Sequence, residues 1–192
     1  DDRETVILPL EYNMIKTYPY NDGSYLAQND KGKYGCVSID GRITLPFEYD
    51  QMNESSGQSI LISSKDNKCG IVQVNQGLPN EILTCDYDDI QVNKQAFIVS
   101  KSKKFGLLDN YGKLILPIEY DDLFVVNDKE YGQNNLFIAK KDGRYLVLNN
   151  SGQKVNNKTY NYISTLKMDR NYDNYYNKIY GIKYVSDNNK VG

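Results

Sequence analysis

The side chains that perform most enzyme chemistry are either missing from this sequence or occur as carboxylate pairs. The chain of 192 residues contains no histidine, which excludes Ser-His-Asp and Cys-His nucleophiles, imidazole metal sites and histidine acid–base catalysis. The pairs Asp88-Asp89 and Asp121-Asp122 have the chemistry for acid and base catalysis or for binding Ca²⁺. Each pair directly follows a tyrosine in an equivalent sequence context. This favours a structural interpretation, in which the first Asp of each pair caps a turn by accepting backbone N–H groups.

The cysteines and glycines give no sign of a bound cofactor. Cys36, Cys69 and Cys85 are odd in number and lack the C-x-x-C spacing of zinc or redox sites, so we interpret them as small core hydrophobes. The chain contains no phosphate-binding glycine loop and no nucleophile elbow. We therefore predict no catalytic residues, no metal and no other cofactor.

The composition is that of a polar folded protein with many half-buried rings. Apolar residues make up 40% of the chain and charged residues 25%, and 18 Tyr stand against 5 Phe and no Trp. The formal net charge of −2 offers no positive excess for a nucleic-acid partner. No run reaches the roughly 18 apolar residues that a membrane helix needs, so we predict no membrane insertion in this segment.

The elements that position these residues come from an internal repeat. Residues 33–52 match residues 104–123 position by position, 71 residues apart, and a degenerate copy occupies 68–90. Partial copies precede and follow them, at 7–15 and 144–163. The tyrosines of the second half-motif are Tyr12, Tyr49, Tyr87, Tyr120 and Tyr160. Their spacings of 37, 38, 33 and 40 residues define a period of about 36 residues, which is typical of solenoids and propellers.

Each copy reads as three strands. The first follows the aromatic-Gly pair and ends at a glycine turn, the second runs into Pro-x-x-Tyr, and the third follows a polar loop of variable length. No segment shows a sustained helical stripe of apolar residues, so we predict little or no helix. The predicted fold class is an all-β tandem array of about five three-stranded units, either a small β-propeller or an open β-solenoid.

The array is predicted to form a single domain over residues 1–192. Its units are approximately 1–32, 33–67, 68–103, 104–143 and 144–189, and residues 190–192 start a further unit or a closing strand. The repeat positions assigned to packing and turns are Tyr34, Gly35, Gly41, Pro46, Tyr49, Asp50, Gly70, Gly77, Tyr87, Asp88, Phe105, Gly106, Gly112, Pro117, Tyr120 and Asp121.

The aromatic-Gly start, the glycine turn and the Pro-x-x-Tyr-Asp ending resemble the WG repeat, also called the KWG repeat. The resemblance is specific in Lys33 to Met52 and in Lys104 to Leu123, and partial in Lys68 to Ile90. Beyond Arg144 it is weak. Leu146 replaces the Gly and Asn157 replaces the Pro. The positions of the family's naming Trp hold Tyr34, Cys69, Phe105 and Tyr145. The resemblance implies a bacterial-type β array without a shared catalytic centre that serves as an interaction platform.

The stretch 169–180 departs from the repeat and supplies the candidate binding residues. Tyrosines alternate there with Asn, Asp, Lys and Arg, a composition that suits contact-forming loops. The candidates are Tyr172, Tyr175, Tyr176 and Arg170. The competing interpretation is an elongated hairpin loop that binds nothing.

Three functions are compatible with this sequence. The first is a non-enzymatic protein–protein scaffold, in which variable loops such as 51–59 and 127–135 are carried on a constant frame. The second is a carbohydrate-binding module of the bacterial cell envelope, in which the Pro-x-x-Tyr tyrosines line a sugar groove. The third is a hydrolase that uses two facing carboxyl groups. We expect the first, with a protein as partner and a glycan as the alternative, and favour the bacterial cell envelope or secretion over the cytoplasm.

Overall fold

The computed structural model contains only strands and turns in the part of the chain that it describes. That part comprises residues 11–17, 24–38, 40–55, 60–75, 78–93, 96–126, 136–167 and 179–186. It contains no helix, and so none that could cross a membrane. The all-β prediction is confirmed.

The strands of the described residues form four sheets in chain order. Sheet 1 consists of β1 (Met14–Thr17), β2 (Ser24–Gln28), β3 (Tyr34–Ser38) and β4 (Ile43–Tyr49). Sheet 2 consists of β5 (Gln51–Ser55), β6 (Ile60–Lys65), β7 (Lys68–Asn75) and β8 (Leu78–Tyr87). Sheet 3 consists of β9 (Asp89–Val92), β10 (Ala96–Lys101), β11 (Lys104–Asp109) and β12 (Leu114–Tyr120). Sheet 4 consists of β13 (Asp122–Val126), β14 (Leu136–Lys141), β15 (Arg144–Leu148), β16 (Tyr160–Lys167) and β17 (Ile179–Ser186).

The first three sheets contain four strands each, where the sequence predicts three. Sheet 4 contains five. In sheets 2, 3 and 4 the additional first strand, β5, β9 or β13, directly follows the Tyr-Asp step that ends the preceding sheet. These strands are short, and each carries few buried apolar side chains, such as Met52, Ile90 and Leu123. Because apolar and polar residues alternate so weakly in these segments, their sequence looks like that of a loop. Pairing with the following strand makes each segment part of a sheet. Each sequence repeat therefore spans the end of one sheet and the start of the next.

The apolar core lies between neighbouring sheets. The chain divides into two compact units, Asp1–Ile90 and Gln91–Gly192. In the first unit one cluster joins sheets 1 and 2, and its members are Leu26, Cys36, Leu45, Tyr49, Met52, Leu61, Val72 and Val74. In the second unit one cluster joins sheets 3 and 4, and its members are Ala96, Ile98, Leu107, Leu116, Tyr120, Leu123, Phe137, Ala139 and Leu148. Each sheet thus buries a face against its neighbour within the same unit, as repeat proteins do.

Candidate functional site

The aromatic-Gly pair and the Pro-x-x-Tyr segment meet in a β-bulge. In sheet 1 the register runs from Tyr34↔Tyr49 to Cys36↔Leu45, so one residue of β3, Gly35, faces three residues of β4. The same shift occurs between β7 and β8 and between β11 and β12. A bulge bends the strand and leaves residues unpaired, which suits a proline that cannot donate a hydrogen bond. This explains why Pro46 and Pro117 recur at that point.

The glycines of the repeat admit the bulge because they have no side chain. A Cβ atom on Gly35 would lie 2.7 Å from the Leu45 carbonyl oxygen, and one on Gly70 would lie 2.5 Å from the Leu83 carbonyl oxygen. A Cβ atom on Gly106 would lie 2.7 Å from Ile118 Cγ1. Real Cβ atoms do not approach other heavy atoms so closely. The backbone of the outer strand therefore reaches its position only over a glycine.

The turn glycines have a different role, since they adopt a left-handed backbone. Gly41 and Gly112 have φ of 82° and 81°. In the second of these turns Asp109 Oδ1 accepts the backbone N–H groups of Tyr111 and Lys113 at 2.9 and 2.8 Å. Such side-chain acceptors fix tight turns. Gly77 lies outside the described residues.

The tyrosines of Pro-x-x-Tyr pack between sheets. Tyr49 is 2% exposed, and its hydroxyl donates to Glu81 Oε1 on β8 of the adjacent sheet at 3.2 Å. Burial and the nearby Glu81 charge raise the Tyr49 pKa. Tyr120 is buried in the cluster that also contains Phe137. The first ring of the series, Tyr12, is half-buried and stacks on Phe47 with the centroids 5.5 Å apart.

A cation at the start of each repeat pairs with the residue after its tyrosine. We call these pairs the latches; they are Lys33–Asp50, Lys68–Asp88, Lys104–Asp121 and, with an uncharged amide as acceptor in the last repeat, Arg144–Asn161. All of these side chains lie at the surface, where a single ion pair contributes little stability. Their recurrence at one repeat position nevertheless marks them as part of the frame.

The latch aspartates also hold the next sheet. Asp50 Oδ2 accepts the backbone N–H of Asp66 at 2.9 Å, and Asp121 Oδ2 accepts that of Asp142 at 3.1 Å. Hydrogen bonds from Lys33 and from the Asp66 N–H lower the pKa of Asp50. The pKa of Asp121 is lowered first by the hydrogen bond from Lys104, and then by the Lys104 charge and the hydrogen bond from the Asp142 N–H. Both aspartates therefore serve as ionised acceptors.

A second set of ion pairs crosses the same junctions. Lys65, at the end of β6, binds Glu48 of β4 at 2.9 Å, and Lys141, at the end of β14, binds Glu119 of β12 at 2.6 Å. Each glutamate lies next to the repeat tyrosine. Three contacts thus stabilise the junction between adjacent sheets of a unit: the latch, the hydrogen bond from a turn N–H to the latch aspartate, and the ion pair between a lysine of one sheet and a glutamate of the other.

The cysteines are packing residues at two depths. Cys36 is fully buried, and desolvation raises its pKa to about 12. Cys69 and Cys85 are half-buried and take the repeat positions of Tyr34 and Phe47. Cys85 Sγ lies 3.5 Å from Ser63 Oγ. Across the described residues, no group of three Cys, Asp or Glu side chains is placed to hold a metal ion.

The candidate binding residues fall outside the described part of the chain. This applies to Arg170, Tyr172, Tyr175 and Tyr176, and also to the predicted variable loop 127–135. The other predicted loop, 51–59, begins instead with strand β5, and 56–59 are not described. The sequence interpretation of these residues as contact-forming stays a prediction.

Sequence reasoning missed a set of exposed apolar side chains at the ends of the outer strands. Ile43 and Leu114 occupy the same repeat position and are 61% and 55% exposed, and Leu78 at the start of β8 is 66% exposed. Tyr111, at the tip of the turn before β12, is 87% exposed. Regular strand alternation would place Ile43 on the same face as the buried Leu45, so periodicity predicts burial. A second register shift, between Cys36↔Leu45 and Val37↔Ile43, interrupts this alternation, and the same shift precedes Leu114 in β12.

The fold and these contacts define a tandem β-repeat protein in which one bulge and one latch recur. The family model of the WG containing repeat matches residues 105–145. Residues 105–145 therefore carry a WG-type repeat, and the predicted resemblance to this family is confirmed there. The matched segment includes the bulge glycine Gly106, Pro117 and the latch residue Asp121. No curated protein matches the chain.

Proposed function

We propose that this chain is a non-enzymatic interaction module that binds a protein partner on its surface. One observation carries the proposal: the repeated polar side chains are engaged in the frame, whereas exposed turn positions such as Tyr111, which corresponds to Asp40 in the earlier repeat, differ from repeat to repeat. Asp50 and Asp121 form latches and accept the N–H groups of turns in the next sheet. Tyr49 and Tyr120 lie in the core. A constant frame with variable exposed positions is the arrangement by which repeat proteins present binding surfaces.

The electrostatics of the aspartates support a structural rather than a catalytic role. A carboxyl group that acts as a general acid near neutral pH needs a raised pKa. The pKa of Asp121 is instead lowered, first by the hydrogen bond from Lys104. Asp88, the first member of the other predicted pair, is bound by Lys68. These contacts weigh against the hydrolase hypothesis.

Burial of the repeat tyrosines favours a protein partner over a glycan. A ring that stacks on a sugar must present a face to solvent. Tyr49, Tyr120 and Tyr160 are buried, whereas Tyr12 and Tyr87 are half-buried. The carbohydrate-binding alternative therefore rests on fewer rings than the sequence indicated. The bacterial origin and the envelope or secreted localisation remain predictions.

The exposed pair Tyr111 and Leu114 offers the first surface to test. Tyrosine is enriched among the residues that dominate binding energy in interfaces. Neither side chain belongs to a core cluster of the described residues, so their replacement should leave the fold intact. A matched control is Lys113→Ser, since the exposed Lys113 contributes backbone hydrogen bonds to the same turn and its side chain forms no ion pair with the described residues.

The experiment isolates a partner by affinity capture on the immobilised chain and then measures the purified pair by calorimetry. We expect Tyr111→Ser combined with Leu114→Ser to weaken binding at least about tenfold, equivalent to about 1.4 kcal/mol. The thermal midpoint and the affinity of Lys113→Ser should stay unchanged. Equal weakening by both variants would contradict the assignment of this surface. Saturable glycan binding or hydrolytic turnover without any protein partner would contradict the proposed function itself.

A further inference from the structure

Three hairpins in the described residues turn through two residues with left-handed backbones. The central residues are Asp66-Asn67 between β6 and β7, Ser102-Lys103 between β10 and β11, and Asp142-Gly143 between β14 and β15. Such turns match the twist of the strands and favour Asn, Asp and Gly, which tolerate positive φ. Two of the three turns follow that preference at both positions.

The Ser102-Lys103 turn departs from it. Ser102 has φ of 54° and Lys103 of 62°, values that residues other than Asn, Asp and Gly adopt only at a cost in conformational energy. The turn has the same length and register as its counterparts, since Lys101↔Lys104 corresponds to Lys65↔Lys68. The frame would therefore accept Asn at residue 103, where it has Asn67 in the preceding turn. A residue that strains the fold without helping it points to a role outside the fold.

The same turn concentrates positive charge. The segment Lys101–Lys104, which we call the basic tip, holds three lysines and no acidic residue, and all four residues are exposed. The other two turns place an aspartate in the first position. Lys104 is held by the Asp121 latch. Lys101 and Lys103 form no ion pair with any of the described residues, whereas the counterparts of Lys101, Lys65 and Lys141, are each paired with a glutamate.

We propose that the basic tip is a docking site for an acidic, carboxylate-rich segment of a protein partner. Lys101 and Lys103 supply the charges, and the rigid two-residue turn presents them at the end of a hairpin. Lysine acts as a compact point charge, so the site selects for charge density rather than for bidentate geometry. The net charge of −2 over the chain disfavours a nucleic acid, whose whole backbone would have to approach. The inference rests on the proposed function and names the chemistry of one partner.

The test uses Lys103→Asn, which removes both the charge and the strain. The whole chain is titrated with a fluorescein-labelled poly-glutamate peptide, followed by fluorescence anisotropy at low and at physiological ionic strength. We expect Lys103→Asn to raise the thermal midpoint by about 2–4 °C while weakening peptide binding about fivefold or more. Lys101→Gln should weaken binding without raising the midpoint. Lys103→Arg should retain the affinity.

The control is Lys113→Gln, an exposed lysine at the opposite end of the β11–β12 pair, which should leave binding unchanged. The proposal is overturned if Lys103→Asn stabilises the chain but binds the peptide as before, or if Lys113→Gln weakens binding equally. Tighter binding of a phosphopeptide or of oligo-dT than of poly-glutamate would also overturn it. A partner whose binding depends on Tyr111 but not on Lys103 would refute the basic tip and leave the proposed function standing.

Discussion

Sheet 3 and sheet 4 start alike and end differently. In both, a two-residue turn joins the second and third strands, and the cation after the turn, Lys104 or Arg144, reaches a side chain 17 residues further along. Sheet 3 then completes its outer strand β12 over Gly106. Sheet 4 has Leu146 at that position, and β15 meets β16 only at Tyr145↔Tyr160 among the described residues. The comparison indicates that the glycine decides whether the outer strand can form.

The segment that would be the outer strand of sheet 4 begins in the register of β12, with Leu148↔Lys154 in place of Leu108↔Leu114, but does not continue as a strand. Within 149–159 the described backbone pairs with β15 through the isolated bridge Leu148↔Lys154 and the hydrogen bond from the Val155 N–H to the Val147 carbonyl. The turn of this segment packs closely against sheet 3: a Cβ atom on Gly152 would lie 2.9 Å from Leu116 Cδ2. Leu146, at the repeat position of the bulge glycine, packs beside the core cluster of sheets 3 and 4.

The largest expected difference between the two sheets is in the core strand. Leu107 is fully buried, whereas its counterpart Val147 is half-buried. We expect Leu107→Ala to lower the free energy of unfolding by about 3 kcal/mol, since it removes buried methyl groups and leaves a cavity. Val147→Ala should cost about 1 kcal/mol. Urea denaturation measures both, and equal costs would show that the two sheets are packed equally well.

The glycine substitution tests the cause of the difference. We expect Gly106→Ala to cost about 2 kcal/mol, because the new Cβ must displace Ile118 or the outer strand. Gly143→Ala is the matched control: a Cβ there meets no atom within 4 Å, and only its φ of 76° is unfavourable, at a cost of about 1 kcal/mol. A smaller cost for Gly106→Ala than for the control in chemical denaturation would refute the proposed role of the glycine.

Substitutions in the latches should change stability less, and in opposite directions in sheet 3 and sheet 4. Asp121→Asn replaces the carboxylate that Lys104 binds by an uncharged amide, and Asn161→Asp replaces the uncharged amide that Arg144 binds by a carboxylate. We expect the first change to lower the thermal midpoint and the second to raise it. Both shifts should shrink in high salt, because the groups are exposed. Shifts of the same sign, or shifts independent of salt, would contradict the latch as an electrostatic contact.

Acid should release the latch of sheet 3 before that of sheet 4. The pKa of Asp121 lies below its ordinary value of 3.8, so its contribution is fully present above the unfolded pKa and is lost as the pH falls through the folded pKa. The stability difference between the wild type and Asp121→Asn should therefore vanish at low pH. Arg144–Asn161 contains no carboxyl group. A carboxyl titration of Asp121 by NMR with a midpoint above 3.8 would contradict this account.

Most of the fold could be predicted from the sequence, but little of the candidate site could. Recurrence of Pro-x-x-Tyr and of the glycine turns was enough to predict a β array, because each of these residue types has few places in a sheet. Strand β5 could not be predicted, since Met52 is its only buried apolar residue. The latches were open to detection: the cation and the acid occupy fixed repeat positions, and in the last repeat the pair changes to Arg144 and Asn161 together. Exposure of Tyr111 and strain at Lys103 depend on backbone geometry, which composition does not encode.

The Tyr-Asp step where one sheet ends and the next begins bears on how such a chain can grow. Each sequence repeat supplies the close of one sheet and the opening of its successor, and within each unit the joint has the same Tyr-Asp step, Tyr49-Asp50 or Tyr120-Asp121. A gene segment of one period that is duplicated or lost between two such steps leaves a Tyr-Asp step at each new joint. The sequence of the joint is therefore kept when the number of repeats changes, and surface features such as the basic tip can vary in one copy alone.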